Sequence, residues 1–354
     1  MCGGESRRFR KTQRIVSDKA LAFFHGRRLL QRVVEASLRM TSDVILSVRS
    51  GEQGEIYRRS LGKAGRSVRV VVDEALGCPG PLNGIATGLK AASGDASVVV
   101  PCDAPSVRSE VLALLLRHLD EVTLSVPVWP DGLIEPMLFG ARTPDGSLVA
   151  NALCMLGCRK TVDFIRAAPS VKFVSVATEF MAVDPSLGSF VNVNYPFELR
   201  VSLPRRSLEG SLHKSFRVQQ PANREAIERL LDFAQQVRLS LSNHQDLLLD
   251  LLDGDEISRS HFWSALVSRH ATSLGTLGEK AERKLLSASA EAYGRERKNY
   301  SDLGLSMLEA HALIDEALVW RMLGEKELGQ KRRLRAQRIL SSLGLTRPKR
   351  AMYR

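Results

Sequence analysis

Apolar and polar positions along the chain change their period near residue 203, and that change divides the sequence. Up to there, short β-branched runs alternate with stretches of helical spacing. Val44 to Val48, Val68 to Val72, Val98 to Val100, Val122 to Val128 and Lys172 to Val176 read as strands. Arg27 to Met40 carries Leu29, Leu30, Val33, Val34 and Leu38 on one helical face, and Asn83 to Ala92, Glu110 to Leu119 and Leu148 to Ile165 read as further helices. Phe190 to Val193 reads as a last short strand. Gly132 to Phe139 fits an antiparallel strand with an edge proline at Pro136. Strand–helix alternation of this kind predicts an α/β fold, a doubly wound, mostly parallel sheet of the Rossmann-like type.

Beyond about residue 220 the pattern is continuously helical. Ile227, Leu230, Leu231, Ala234, Val237 and Leu241 form one stripe, and Leu303, Met307, Ala310, Leu313, Ile314, Ala317 and Trp320 form another. The spacing predicts an all-α domain over 221–354, joined through a Pro/Arg/Gly-containing linker at 204–220. Its last hairpin has Trp320, Gly324, Ala336 and Pro348 at spacings similar to one tetratricopeptide repeat, with Glu327 at the aromatic position and no second copy upstream.

Charge changes this picture in two places only. Of the net +12, residues 1–19 hold +4 and residues 331–354 hold +9, so the interior is nearly neutral. The surplus is two local patches, and nucleic acid is not the expected partner. Five cysteines without a Cys-x-x-Cys pair make no zinc site and are expected as reduced thiols of a cytoplasmic protein. No apolar run long enough to span a membrane occurs.

Asp73 and Asp103 each follow directly on the apolar part of a strand, which places both carboxylates at the carboxyl edge of a parallel sheet, where open α/β folds bind ligands. Between them Gly80-Pro81-Leu82-Asn83-Gly84 opens a helix. Its glycine lets backbone N–H groups approach an anion closely. Phosphate handling is the chemistry these residues indicate, with Asp103 as a carboxylate for a magnesium ion that accompanies phosphates. Near the start, Gly3-Gly4 would form a phosphate-holding loop, with Arg7, Arg8 and Lys19 neutralising charge.

These segments carry a resemblance. Gly3-Gly4-Glu5-Ser6-Arg7-Arg8 with Asp18-Lys19-Ala20-Leu21, Asp73 with Pro79-Gly80-Pro81-Leu82-Asn83-Gly84-Ile85, Pro101-Cys102-Asp103-Ala104-Pro105, and Phe190-Val191-Asn192-Val193-Asn194-Tyr195-Pro196 resemble, in order and spacing, the molybdenum cofactor guanylyltransferase family over residues 1–203. The resemblance implies transfer of GMP from GTP to the terminal phosphate of molybdenum-bound molybdopterin, with release of pyrophosphate and Mg²⁺ as cofactor. It assigns the nucleotide to Gly3, Gly4, Lys19, Asp73, Gly80, Pro81, Leu82, Gly84 and Asp103. Lys19, Arg7 and Asp103 are the implied catalytic residues, and Asp103 the implied metal ligand. Asn192, Asn194 and Glu135 fall on the acceptor side.

The sequence also departs from the family. Arg8-Phe9-Arg10 lacks a glycine, about six extra residues precede Asp18-Lys19, and Ser47-Val48-Arg49 stands where an asparagine is common. The apolar strand that leads into the family's Gly-Gly turn is missing here, so a longer form beginning upstream is the expectation. Alternatives are cytidylyl transfer to the same cofactor, guanylyl transfer to another phosphate, or a degenerate nucleotide-binding protein. The helical region is expected as an accessory module for a protein or anionic partner, such as the molybdoenzyme that receives the cofactor.

Overall fold

A computed structural model describes residues 18–74, 78–195, 198, 206–239, 255–273 and 278–345. Gly3, Gly4, Arg7 and the basic tail beyond 345 therefore lie outside the described residues. The chain forms two compact units, one of Met1–Val128, Glu135–Leu208 and His213–Gln219, the other of Trp129–Ile134, Glu209–Leu212 and Gln220–Arg354.

In the first unit a small hairpin pairs β1 (Phe23–Phe24) with β2 (Arg27–Arg28) around His25 and Gly26, both at positive φ. Helix Leu29–Leu38 follows, burying Leu29, Leu30, Val33 and Val34 as their spacing requires. β3 (Val44–Val48) then pairs in parallel with β4 (Val68–Val72), from Val44 opposite Val68 to Val48 opposite Val72. Helix Gly51–Ser60 connects them, with the Ser50 hydroxyl accepting from the Gln53 N–H at 3.2 Å to close its first turn. Tyr57 from this helix packs with Ala20, Leu30, Val44, Leu46 and Val68 in one buried cluster.

A second sheet has the order β5 (Ala96–Val99), β7 (Phe139–Arg142), β6 (Leu124–Val128), β8 (Ser170–Ser175), β9 (Phe216–Gln219). β6 and β8 run parallel; β5–β7, β7–β6 and β8–β9 are antiparallel. The five-stranded sheet is therefore mixed and the β3–β4 pair parallel, and β4 and β5 are not neighbours as a simple strand–helix–strand reading expects. Periodicity identifies a strand without naming its partner. Among the described residues β3 pairs with β4 alone and β5 with β7 alone. A cavity of about 360 Å³ is lined by both strands, by Leu30 and Val34 of the first helix, and by Ile85 and Leu89 of helix Pro81–Ala91.

Three further expectations are corrected. The helix expected over 148–165 is two helices, Thr143–Met155 and Thr161–Ala167, because Gly157 at φ 76° turns the chain between them. Phe190 to Val193 is no strand: the Gly188–Phe190 stretch is a 3₁₀ turn, and the Val193 N–H donates to the Asp103 carbonyl at 2.9 Å instead of joining a ladder. The expected linker contains β9, whose Phe216 pairs with Phe173 at the sheet edge.

The second unit is helical: Arg224–Leu239, Asp255–Arg259, His261–Ser273, Glu279–Asp302, Ser306–Met322 and Lys326–Ser342. The last three pack in sequence as neighbours, joined by tight turns at Gly304 and Gly324, both at positive φ. The Gly132 carbonyl accepts from the Met307 N–H at 3.1 Å, satisfying one amide at the start of a helix. A Cβ at Gly132 would fall 2.1 Å from the Gly304 carbonyl oxygen, so no other residue fits there. No helix among the described residues is long and apolar enough to cross a membrane.

Candidate functional site

Lys19 is placed by the residue before it. Asp18 caps the 3₁₀ turn Lys19–Leu21, its Oδ1 accepting from the Ala20 N–H at 3.1 Å. Its other oxygen accepts from the Tyr57 hydroxyl at 2.7 Å and the Gln53 amide at 3.3 Å, both on helix Gly51–Ser60. The turn is thereby fixed to β3's neighbouring helix, and the Lys19 side chain leaves from a rigid base.

Asp103 follows β5, as expected for a strand-end carboxylate. Its Oδ2 accepts directly from the Lys19 ammonium, which also lies 3.4 Å from Asn194 Oδ1. The Val193–Asp103 backbone bond holds the 192–194 segment against the strand end, and the Glu198 carboxylate accepts from the N–H groups of Asn194 and Tyr195. Three residues from distant parts of the chain thus meet at one point. Asn192 sits beside them, with Asn194 Nδ2 3.4 Å from its carbonyl and its own Oδ1 shielded and without a hydrogen-bond partner. Glu135 follows β6, its N–H donating to the Pro127 carbonyl at 3.1 Å.

Asp73 ends β4 and continues the ladder through its N–H to the Val48 carbonyl at 2.7 Å. Its carboxylate accepts from the buried Ser47 hydroxyl. Burial raises the Asp73 carboxyl above its ordinary range, while the Ser47 bond and the Arg49 charge act against that rise. The residue after it is tied to helix Pro81–Ala91: the Glu74 N–H donates to Thr87 Oγ1 at 3.0 Å, and the Asn83 amide donates to the Glu74 carbonyl at 2.7 Å.

At the head of that helix Gly80 has φ 147°, and a Cβ there would lie 3.2 Å from the Arg159 carbonyl oxygen. Pro81 occupies the first helical turn, and no side chain caps it. Helix starts in general favour an anion. Leu82 has no exposed surface, so its side chain is core and only its backbone could meet a ligand. Cys78 and Cys154 are joined as a disulfide, Cα to Cα 5.0 Å, which pins the turn ahead of Gly80 to helix Thr143–Met155. This corrects the reduced-thiol expectation for that pair.

Sequence reasoning missed Tyr57, Gln53, Ser47 and Asn83 as supports. Only Asn83 gave a signal, as a polar residue inside the Gly-Pro-Leu helix start.

For a metal, the donor set is informative. Among the described residues no group of three or more His, Cys, Asp or Glu could hold an ion by itself. Magnesium takes one or two carboxylates and completes its shell with phosphates and water. Asp103 fits that role for an ion that arrives with a nucleotide.

An α/β unit with a strand-end Lys–Asp pair and a bare glycine-led helix start defines a nucleotidyltransferase-type enzyme. The MobA-like NTP transferase domain matches residues 1–168. A probable molybdenum cofactor guanylyltransferase of Methanothermobacter thermautotrophicus is 32% identical over 206 residues, 57% of this chain and 95% of that protein. A second, from Methanosarcina acetivorans, is 31% identical over 204 residues, 55% of this chain and 84% of its own length. The crystal structure of molybdopterin-guanine dinucleotide biosynthesis protein A from Archaeoglobus fulgidus, 22% identical, superimposes with a TM-score of 0.46 over 56% of this chain and 92% of that one. The chain belongs to the MobA-like nucleotidyltransferase family.

Proposed function

We propose that the first unit transfers GMP from GTP to the terminal phosphate of molybdenum-bound molybdopterin in the cytoplasm. The observation that carries this reading is the meeting of Lys19, Asp103 and Asn194 at one strand end. It rests also on relatives named molybdenum cofactor guanylyltransferase. An acceptor phosphate oxygen attacks the α-phosphorus of GTP, a new P–O–P link forms, and the bond to the β-phosphate oxygen breaks with pyrophosphate as leaving group. The attacking oxygen is already ionised at neutral pH, so no general base is required. What the protein supplies is alignment and charge neutralisation.

Lys19 and Arg7 neutralise the triphosphate, Gly3 and Gly4 approach it with their backbone, and the Gly80-Pro81 helix start offers N–H groups to the nucleotide. Gly84 lets that helix lie close. Asp73 faces the nucleoside, while Asn192, Asn194 and Glu135 serve the acceptor. Asp103 would hold Mg²⁺, which when bound neutralises phosphate charge as a Lewis acid. The helical unit is read as an accessory module that docks the enzyme receiving the finished cofactor.

A second reading, cytidylyl transfer to the same acceptor, is kept open by Ser47-Val48-Arg49, which stand where the family commonly has an asparagine just after the strand. Pyrophosphate release measured with each nucleoside triphosphate, with and without molybdopterin, separates the two. Release with GTP that depends on molybdopterin is the expected result. Release with CTP alone overturns guanylyl transfer, and release with none overturns both.

A further inference from the structure

The last helix of the second unit carries its charge unevenly. Lys326–Ser342 holds six cations, Lys326, Lys331, Arg332, Arg333, Arg335 and Arg338, against one acid, Glu327. Two other long helices of the unit are balanced: Glu279–Asp302 has six cations and five acids, and Arg224–Leu239 three of each. Toward the preceding helix, Ser306–Met322, the excess is answered. Arg332 donates to Glu316 at 2.8 Å and Arg335 to Glu309 at 2.6 Å, and both acceptors are buried. Ala336 has no exposed surface, and a Cβ at Gly329 would fall 2.9 Å from the Ala317 carbonyl oxygen. The inner face is thus matched in shape and in charge.

The outer face is matched in neither. Lys326, Lys331, Arg333 and Arg338 are exposed, and no side chain of the four has a hydrogen-bond or ion-pair partner among the described residues. Leu334, 43% exposed, lies between two of them. Residues three and four apart on a helix are neighbours, so Lys331 and Arg338 flank that leucine one turn to either side. The last helix of a stack needs a polar outer face to stay soluble. Mixed charges, as on Glu279–Asp302, supply that without an exposed leucine set between cations.

The chemistry of the face separates its anionic partners. Lys326–Ser342 has no aromatic residue on which a base could stack, and a phosphate backbone gives Leu334 nothing to cover it. Ile339 and Leu340 pack with Ala310, Leu313 and Ala336, which leaves too little apolar surface outside to hold the helix at a bilayer. A protein segment with an apolar residue between carboxylates answers both features at once. We propose that the outer face of helix Lys326–Ser342 docks an acidic segment of a partner protein, with Leu334 as its apolar centre and Lys331 and Arg338 as its paired cations. The inference rests on the reading of the helical unit as a docking module and adds which face docks and what it meets.

The test uses the full chain and two fluorescein-labelled, alanine-based helical peptides. One carries a leucine with glutamates three and four residues to either side; the other has alanine in place of that leucine. By fluorescence anisotropy at low salt the leucine peptide should bind about fivefold more tightly, and Leu334→Ala should erase that difference. Lys331→Ala with Arg338→Ala should weaken binding about tenfold, and Lys326→Ala with Arg333→Ala, which removes as much charge from the flank, clearly less. Alanine favours helix, and circular dichroism melting establishes that each variant is folded. Equal loss from the two charge pairs, no preference for the leucine peptide, or no peptide binding overturns the proposal. Tighter binding of a DNA duplex or of phosphatidylglycerol vesicles than of the leucine peptide overturns it too. Handover of finished cofactor to a recipient apo-enzyme, assayed separately, judges the module reading. Handover without peptide binding sinks this face alone; peptide binding as expected, with handover untouched by Lys331→Ala and Arg338→Ala, sinks the recipient as partner and leaves the acidic dock standing.

Discussion

The hydroxyl of Tyr57, a side chain with no exposed surface, donates to the carboxylate of Asp18 at 2.7 Å, 39 residues away in sequence. Asp18 in turn caps the turn that begins at Lys19. Tyr57→Phe keeps the packing and removes the donor. It should cost about 1–3 kcal/mol of stability, the usual range for a hydrogen bond to a charged group. It should also lower kcat more than it raises KM for nucleotide, because Lys19 would hold its place less firmly. Chemical denaturation and steady-state kinetics check both. An unchanged kcat in a destabilised variant would confine Tyr57 to packing.

Asp73 makes stability depend on pH in a definite direction. Its native carboxyl titrates above the ordinary value because of burial, so the folded chain keeps this proton to higher pH than the unfolded chain does. The stabilisation this gives is full below the ordinary carboxylate value and is lost as pH rises through the raised native one. Asp73→Asn removes the titration. The melting temperature of the variant relative to wild type should therefore climb as pH rises from the ordinary carboxylate value through the raised native one. Calorimetric scans across that range decide it, and a constant difference would contradict the raised value. Asp184 acts oppositely. Burial would raise it, but hydrogen bonds from Ser186 and Ser189 bring it below its ordinary value, so its contribution is lost only as pH falls through that lowered value.

The Cys78–Cys154 link closes a loop across 76 residues. Constraint of the unfolded chain by a loop of that size is worth about 2–4 kcal/mol. Thermal scans with and without reductant should show that loss. Alkylation of the denatured chain followed by mass spectrometry should leave Cys78 and Cys154 unlabelled until reduction, and label at either beforehand would refute the pairing.

In the helical unit Glu316, 2% exposed, accepts from Arg332 at 2.8 Å and from Arg297 and Trp320 at 3.2 Å. One carboxylate thereby joins three successive helices. Glu316→Ala strands two part-buried guanidinium groups and should cost about 3–5 kcal/mol, measured by urea unfolding. A loss under 1 kcal/mol would show that water replaces the carboxylate.

Much of this was legible in the residues. Val44–Val48 and Val68–Val72 were readable to the residue, because β-branched runs bounded by turn residues have few other solutions, although only Val68 of the second run is buried. Lys19, Asp103 and Asn194 were readable as separate motifs, and the fold brings them together. Their supports were not. Tyr57 lies on helix Gly51–Ser60, which the apolar spacing does not announce, and its contact with Asp18 spans 39 residues. Ser47 is a small polar residue in a strand until its distance to Asp73 is known. Disulfide connectivity and sheet order were equally out of reach, since spacing names neither the partner of Cys78 nor that of β5. Phe216 to Gln219 hid in a polar segment because an edge strand need bury little.

The cavity between β3 and β5 has a volumetric consequence. Protein interiors hold few spaces larger than a water molecule, and one of about 360 Å³, partly open to water, leaves its walls without packing partners. Hydrostatic pressure drives water into a loosely packed seam, so it acts on this unit more strongly than on a filled core. Among the described residues the two strands share no ladder bonds across the gap, which helices Leu29–Leu38 and Pro81–Ala91 also line. Compression should therefore separate the β3–β4 pair from the five-stranded sheet before either sheet loses its own bonds. High-pressure NMR would see this as amide shifts at Val44–Val48 and Ala96–Val99 that bend at lower pressure than those of β6 and β8.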